Sequence, residues 1–133
     1  MKKKDLVKKL DKVFSEYIRL RDCSDDGIGF CISCGRPIRI GTSDCQCGHY
    51  HSRRHYNTRW NEKNCNAQCR SCNLYNQGNI HGYTRGLIKK YGEGVIEELE
   101  VASALSKKYS DFELNELIKI YTNKVKELKN QCK

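Results

Sequence analysis

The sequence has one proline, one methionine and one tryptophan in 133 residues, and it has no run of about 18 apolar residues. The missing apolar run excludes a membrane-spanning helix. The N-terminal stretch MKKKDLVKKLDKVF has lysines but no apolar segment after them, so no secretory signal is expected. The chain is therefore expected in the cytoplasm, where thiols stay reduced. Its nine cysteines then indicate metal binding rather than disulfides.

Acidic residues are scarce in the middle of the chain. Residues 31–91 have two acidic side chains against ten basic ones, seven of them arginines, whereas the flanks are close to neutral. The same segment contains seven of the nine cysteines and all four histidines. A concentrated positive field favours a polyanionic partner, and arginine favours bidentate contact with phosphate. The distribution therefore predicts that the central segment binds nucleic acid.

Long aliphatic side chains are also few between residues 31 and 80. Such a segment cannot order itself by apolar burial alone, so a metal is expected to hold it together. Helical periodicity predicts one amphipathic helix over residues 3–21 and a helical C-terminal part over 83–131, with a loop at 22–29 between helix and core. The chain is thus expected to form a single α+β domain over residues 1–133.

The C-terminal part divides further. Residues 83–91 and 95–105 are predicted to form two short helices, and Ser110-Asp111-Phe112-Glu113 has the form of a capping box before a longer helix. The terminal helices are expected to pack against the central module. A coiled-coil dimer through their apolar stripes remains an alternative, and so does a homodimer of another kind.

Two Cys-x-x-Cys knuckles, CISC at 31–34 and CRSC at 69–72, flank the central insert. Each pair presents two thiolates to one ion, and two pairs complete the four-sulfur shell that zinc prefers. The spacing therefore predicts a structural zinc ion held by Cys31, Cys34, Cys69 and Cys72. A redox dithiol is the weaker interpretation, because no βαβ pattern surrounds either pair.

A second metal site is an alternative that the sequence leaves open. Its ligands would be Cys45 and Cys47 with His49, His51 or His55. Alternating residues on one strand face lie about 6–7 Å apart, which is wide for side chains that close on a single ion. The remaining cysteines, Cys23, Cys65 and Cys132, are interpreted as small thiols without a ligand role.

The insert between the knuckles is interpreted as a β-hairpin. His49 is expected on its first strand, Asn64 near the end of its second strand, and Asn73 at the start of a short helix after Cys72. A zinc ligand is the alternative role for His49. Capping or turn roles are the alternatives for each asparagine taken singly.

This order of His, Asn and Cys-x-x-Cys-Asn resembles the HNH, or ββα-metal, nucleases. The motifs CISCG, CGHYHSR, RWNEKN, QCRSCN and GNIHGY together resemble the phage NinG (lambda Rap-like) family of recombination proteins. The resemblance implies a small zinc-knuckle HNH core over 31–80 flanked by helices. It also implies an endonuclease, phage or prophage encoded and acting inside a bacterial host, that nicks branched recombination intermediates of the Holliday-junction or D-loop type.

The resemblance also implies roles for individual residues. His49 would be the general base, Asn64 would fix the strand or loop that bears it, and Asn73 would supply an oxygen ligand to a catalytic Mg²⁺, for which Mn²⁺ could substitute. Arg53 would contact phosphate and could also stabilise the transition state. A neutral imidazole is suited to this task because its pKa lies near neutral pH.

One position departs from the HNH pattern. Many HNH enzymes carry an aspartate ligand directly before the histidine, and this chain has Gly48 there. Candidates for a replacement ligand are Asp44, Asn76 and His81. Without one, weak metal affinity in the absence of DNA is expected.

Four arginines, Arg53, Arg54, Arg59 and Arg70, are predicted to contact DNA phosphates. His51 and His55 are interpreted as polar hairpin residues near DNA, and Tyr50 and Trp60 as core side chains. Two other functions remain open, a non-catalytic zinc-stabilised module that only binds nucleic acid, and a nuclease directed at RNA, since phosphate contacts serve both polymers.

Overall fold

The structure is a computed structural model and describes residues 1–131. Its elements, in chain order, are α1 (Lys3–Arg21), β1 (Ile28–Phe30), β2 (Pro37–Arg39), β3 (Gln46–His49), α2 (Tyr56–Arg59), β4 (Cys65–Gln68), a π-helical turn (Ser71–Tyr75), α3 (Ile80–Tyr91), α4 (Val95–Ala104) and α5 (Asp111–Gln131). Cys132 lies outside the described residues.

The two long helices α1 and α5 form the largest apolar core. Helix α1 buries Leu6, Leu10, Phe14 and Ile18, which recur at helical spacing on one face. Helix α5 buries Leu114, Ile118, Tyr121 and Val125, and it packs mainly on α1. The apolar stripes of α1 and α5 therefore face each other within one chain. Trp60 and Cys65 join this core from the central module.

The central module consists of two small antiparallel sheets. Strand β1 pairs with β2, and β3 pairs with β4 so that His49 lies opposite Cys65 and Gly48 opposite Asn66. The hairpin β3–β4 rests on α1. The buried cluster of this module contains few aliphatic residues. Its members are Cys31, Ile38, Cys45, Ala67, Cys69 and Cys72.

Helices α3 and α4 form a third core on the other side of the hairpin. Tyr83, Leu87, Val95 and Leu99 are buried there. Helix α3 approaches the first knuckle so closely that a Cβ at Gly86 would lie 1.9 Å from the Ile32 carbonyl oxygen. The Tyr83 hydroxyl donates to the Gly48 carbonyl at 2.7 Å, which ties this core to the hairpin.

Several element boundaries differ from those predicted. Helix α3 begins at Ile80, since the Asn79 side chain caps it by accepting from Gly82 N. Residues 28 and 29, which were expected to end the loop over 22–29, belong instead to β1. The capping box is confirmed, with Glu113 N donating to Ser110 Oγ and Ser110 N donating to Glu113 Oε1, both at 3.1 Å.

The position of Asn64 is also corrected. It lies directly before β4, which begins at Cys65, rather than near the end of that strand. A tight turn at 61–64, in which Asn64 N donates to the Asn61 carbonyl, places it there. None of the helices over residues 1–131 is both long and apolar enough to cross a membrane.

Candidate zinc clamp and hairpin site

The four knuckle cysteines converge at one point. The Sγ atoms of Cys31, Cys34, Cys69 and Cys72 all lie within 4.8 Å of one another. Three of these residues are buried and Cys34 is exposed. Four sulfurs at this spacing are the donor set of a tetrahedral structural zinc site. The expected grouping of the two knuckles is therefore confirmed, and the cluster can hold a metal ion such as zinc.

Backbone N–H groups donate hydrogen bonds to two of the knuckle sulfurs. Ser33 N and Cys34 N donate to Cys31 Sγ at 3.4 and 3.5 Å, and Cys72 N donates to Cys69 Sγ at 3.4 Å. Burial raises the pKa of Cys31, but the N–H donors around its sulfur outweigh burial and lower the pKa overall. Asn79 Nδ2 donates to Cys72 Sγ at 3.3 Å from the start of α3. Donors of this kind stabilise thiolate ligands.

His49 ends β3 with one ring nitrogen already bonded. Its Nε2 lies 3.1 Å from the Arg59 carbonyl oxygen. A carbonyl only accepts, so Nε2 carries the proton and Nδ1 retains its lone pair in the neutral ring. Burial, and then the charge of Arg53, lower the pKa of His49 to about 4, against a smaller opposing effect of the Arg59 carbonyl. His49 is therefore neutral at pH 7, and its pKa lies below the near-neutral value that the sequence led us to expect.

Asn64 holds the loop between β3 and α2. Its side chain is fully buried, Oδ1 accepts from His51 N at 2.8 Å, and Nδ2 donates to the carbonyls of His51 and Thr58 at 3.0 Å each. One amide thus fixes both ends of the segment that carries Arg53. The same segment ends at Arg59, whose carbonyl orients His49.

Asn73 lies in the π-helical turn after the second knuckle. Its Nδ2 donates to Gln46 Oε1 at 2.8 Å, and no hydrogen bond to its Oδ1 occurs within residues 1–131. Asn73, Gln46, Cys47 and Arg53 border an open cavity of about 380 Å³. His49 does not line this cavity. Its side chain lies on the face of β3 opposite that of Gln46, so the structure does not bring His49 and Asn73 together. Arg53 lines the cavity, and its charge acts on the imidazole.

Gly48 cannot be replaced by an aspartate ligand in this structure. A Cβ there would lie 2.0 Å from Gln68 Oε1. Gln68 is buried and its Nε2 donates to Ser33 Oγ and the Gly78 carbonyl, so its side chain cannot swing away without losing two hydrogen bonds. The carboxylate of Asp44, one candidate for the replacement ligand, is bonded to Arg36 and to Arg70 N.

A second group of potential ligands does occur, with a composition that differs from the sequence alternative. Donor atoms of Cys47, His49 and Cys65 lie within 4.8 Å of one another. Cys65 was interpreted as a plain thiol, but it lies opposite His49 on the neighbouring strand and completes the group. Cross-strand neighbours are closer than residues two apart on one strand. Cys45 instead packs beside Cys23.

The four predicted DNA-contacting arginines have unequal environments. Arg53, Arg54 and Arg70 are exposed. Arg59 differs from the expectation, since its Nε donates to Asp11 Oδ1 at 3.0 Å and its Nη1 donates to the Arg53 carbonyl. The guanidinium of Arg59 is therefore occupied within the protein and supports the loop instead of projecting to solvent.

Sequence reasoning did not identify Asp11, Gln46 or Gln68. Asp11 belongs to α1 and also accepts from the Trp60 indole at 3.0 Å, a contact across 49 positions with no local signal. Gln46 has a signal, because it and Gly48 share one face of β3, the face that meets the turn bearing Asn73.

Comparison with known proteins gives one family. The family model described as bacteriophage lambda NinG protein matches residues 1–131. The chain is 28% identical to protein ninG of Escherichia phage lambda over 93% of this chain and 57% of that protein. It is 27% identical to protein ninG of Escherichia phage 933W, over 93% of this chain and 58% of that protein.

A further relative is protein ninG of Salmonella phage P22, which is 30% identical over 71% of this chain and 43% of that protein. The chain thus spans just over half the length of the first two relatives. No solved structure matches. Since the family model covers all of the described residues, the chain belongs to the bacteriophage lambda NinG protein family.

Proposed function

We propose that this protein is an HNH-type endodeoxyribonuclease that hydrolyses phosphodiester bonds with a divalent metal ion. The observation that carries the proposal is the coupling of His49 to Asn64. The buried Asn64 amide fixes the loop whose last residue, Arg59, holds the imidazole by its carbonyl. This is the division of labour that the HNH resemblance implies for a base and its supporting asparagine.

The neutral His49 ring has the form that a general base requires. With Nε2–H donated to Arg59, the Nδ1 lone pair takes the proton from the attacking water. Arg53, exposed at the edge of the neighbouring cavity, neutralises charge that develops on the phosphate oxygens. Asn64 fixes the loop that carries Arg53 against the end of the strand that carries His49, which keeps the separation of the two groups constant during the reaction.

The oxygen donors beside this loop suit Mg²⁺. Asn73 Oδ1 is free of hydrogen bonds within the described residues, and the Gln46 amide lies next to it. Few protein oxygens, with water and substrate phosphate completing the shell, are typical of Mg²⁺ sites. When bound, the ion would neutralise charge on the scissile phosphate. Uncharged amide ligands alone imply weak binding before DNA arrives.

The substrate is proposed to be DNA, cut at branched recombination intermediates. Arg53, Arg54 and Arg70 are exposed basic side chains on the hairpin and knuckle, and they supply phosphate contacts. The preference for branches comes from the family resemblance. Recognition through phosphates and shape is compatible with a bent junction.

The decisive experiment is a nicking assay on a four-way junction and a matched linear duplex, with Mg²⁺ and with EDTA. His49→Ala should lose nicking by at least a hundredfold, because general-base catalysis contributes about 10²–10⁴-fold. His55→Ala, an exposed histidine of the same loop, is the matched control and should cut normally. A folded His49→Ala protein with full activity would exclude the proposed base. Equal cutting of both substrates would remove the branch preference only.

A second candidate function is a non-catalytic zinc module that binds nucleic acid. It is favoured by the convergence of Cys47, His49 and Cys65, since an imidazole grouped with two thiols could bind a metal ion instead of accepting a proton. Zinc content separates the two functions. One zinc ion per chain, unchanged in His49→Ala, agrees with the nuclease; two ions, falling to one in the variant, would assign His49 to a structural site.

A further inference from the structure

A large cavity lies outside the hairpin site, between the start of α1, helix α2 and the segment before α5. Its volume is about 590 Å³, within the range of ligand-binding pockets. Three aromatic side chains, Tyr56, Trp60 and Tyr109, form much of its wall. Tyr56 and Trp60 have ring centroids 5.8 Å apart, and Trp60 meets Tyr109 edge-on at 5.1 Å.

The rim of this cavity is basic on two sides. Lys4 and Lys8 approach from α1, and Lys108 approaches from the segment before α5. These three ammonium groups form no ion pair within the part of the chain that the structure describes. No aspartate or glutamate is among the lining residues. Aromatic walls between two groups of free cations match a planar aromatic ligand with a negative charge on either side.

The cavity is continuous with the proposed catalytic loop. The side chain of Arg59 lines it and lies over the rings of Tyr56 and Trp60, at 5.2 and 5.5 Å from their centroids. The backbone carbonyl of the same residue holds His49. Arg59 Nη1 also donates to the Arg53 carbonyl, so the cavity adjoins the loop that carries the exposed Arg53.

We infer that this cavity binds an unpaired nucleobase of a single-stranded DNA segment next to the cleaved phosphate. The base packs against the aromatic wall, and the phosphates on either side of it contact Lys4, Lys8 and Lys108. Base stacking tolerates any sequence because each base has an aromatic face. This inference rests on the proposed action on DNA and specifies it as branched DNA with a displaced single strand, as in a D-loop, since a fully paired duplex or four-way junction has no unpaired base.

The lining favours a nucleobase over other anionic ligands. Only Val7 and Leu114 supply aliphatic surface, which is little for a lipid tail. The aromatic rings are instead the platforms on which single-stranded nucleic acid stacks, and lysines at the rim follow its backbone.

The test uses the single tryptophan of the chain as a reporter. Trp60 fluorescence is titrated without added Mg²⁺, so that no cleavage is required and no chelator removes structural zinc. The ligands are a short single strand, a duplex of equal length and an abasic strand that keeps its phosphates. We expect the normal single strand to quench Trp60 and to bind about tenfold more tightly than the abasic strand. The duplex is expected to leave Trp60 fluorescence unchanged.

Two variants separate stacking from charge. Tyr56→Ala, at a side chain that is 40% exposed, should lose about tenfold in affinity for the normal strand and nothing for the abasic strand. The triple change of Lys4, Lys8 and Lys108 to Gln should weaken both strands alike and reduce the salt slope by about 2. Phe112→Ala, an exposed aromatic side chain outside the cavity, is the matched control.

Equal affinity for normal and abasic strands would overturn the inference, and so would quenching of Trp60 by an acidic peptide or a fatty acid but not by DNA. Failure of the proposed nuclease is distinguishable from this. A protein that never cuts but whose Trp60 responds to unpaired bases would retain the cavity assignment, whereas a nuclease without that response would retain only the catalytic one.

Discussion

One ring nitrogen of His49, Nε2, forms a hydrogen bond, and Nδ1 forms none within residues 1–131. The Arg59 carbonyl selects the tautomer, and burial keeps the ring uncharged. The imidazole ring also lies near two thiols, Cys47 and Cys65. A proton and a soft metal ion are therefore alternative partners for this histidine, and only the first agrees with the proposed general base.

The titration of His49 makes protein stability depend on pH. Its pKa is about 4 in the folded protein, below the ordinary value of 6.5, because of burial and the charge of Arg53. The unfolded chain therefore binds more protons between pH 6.5 and 4, and the free energy of unfolding falls as pH falls through this window. The contribution of His49, fully present above pH 6.5, is about 3 kcal/mol.

Urea unfolding of wild type and His49→Gln at a series of pH values measures this contribution. The difference between the two proteins in free energy of unfolding should be constant above pH 6.5 and should decline toward pH 4. Protonation of the zinc cysteines affects both proteins equally and cancels in the difference. A difference that stays constant to pH 4 would mean that the ring is solvated in the folded state.

At the scale of elements, close contacts with neighbouring side chains restrict which residues fit in the β3–β4 hairpin. Gly48 is covered by the Gln68 side chain, and its carbonyl accepts from the Tyr83 hydroxyl of α3. The hairpin is thus fixed from both faces, by α1 and by α3. This packing gives a physical reason why the residue before the histidine has no side chain here.

Gly48→Ala should lower the free energy of unfolding by about 1–3 kcal/mol, because the added Cβ overlaps Gln68 in a packed core. Thermal or urea denaturation measures the loss. Gly94→Ala is the matched control, since nothing lies within 4 Å of its added Cβ and its backbone φ is −68°. Equal stability of the two variants would show that Gln68 can move aside.

At the scale of the whole molecule, the hairpin lies among three small clusters of buried side chains. The α1–α5 core and the α3–α4 core each contact it, and the four-cysteine cluster closes its base. Glu62 joins the first core to the turn before β4, accepting from the hydroxyls of Tyr17 at 3.0 Å and Tyr121 at 2.9 Å. The cysteine cluster contains only Ile38 and Ala67 as buried aliphatic residues, so a bound metal ion would be expected to stabilise it.

Two variants are expected to separate the four-cysteine cluster from the proposed catalytic site. Cys69→Ala should lose bound zinc, cooperative unfolding and nicking together, because the ion supplies folding free energy. Asn73→Ala should keep zinc and stability while losing nicking, because its amide is half-exposed and bonded only to Gln46 within the described residues. Zinc content, thermal denaturation and the nicking assay measure these effects, with Cys23→Ala as the control thiol outside the cluster.

A Cys69→Ala protein that melts like wild type would contradict the zinc assignment. Loss of structure in Asn73→Ala would instead make that residue part of the scaffold. Either result would be visible before any activity is measured.

Local patterns in the sequence determined much of this protein. Helical periodicity predicted α1 and α5, and the capping box of Ser110 and Glu113 indicated where the last helix starts. The two Cys-x-x-Cys pairs predicted the four-cysteine cluster. These features are readable because the residues that cause them are neighbours in sequence, or repeat a short motif whose chemistry requires a partner.

Only the tertiary structure decided what surrounds His49 and Asn64. The contacts of Asp11 with Arg59, of Gln68 with Gly48, and of Cys65 with His49 join residues that are distant in sequence or paired by strand register. Register has a period of two residues and depends on packing against α1 and α3, so no local pattern specifies it. For the same reason, the aromatic cavity beside α2 exists only once α1 and the segment before α5 have come together around Trp60.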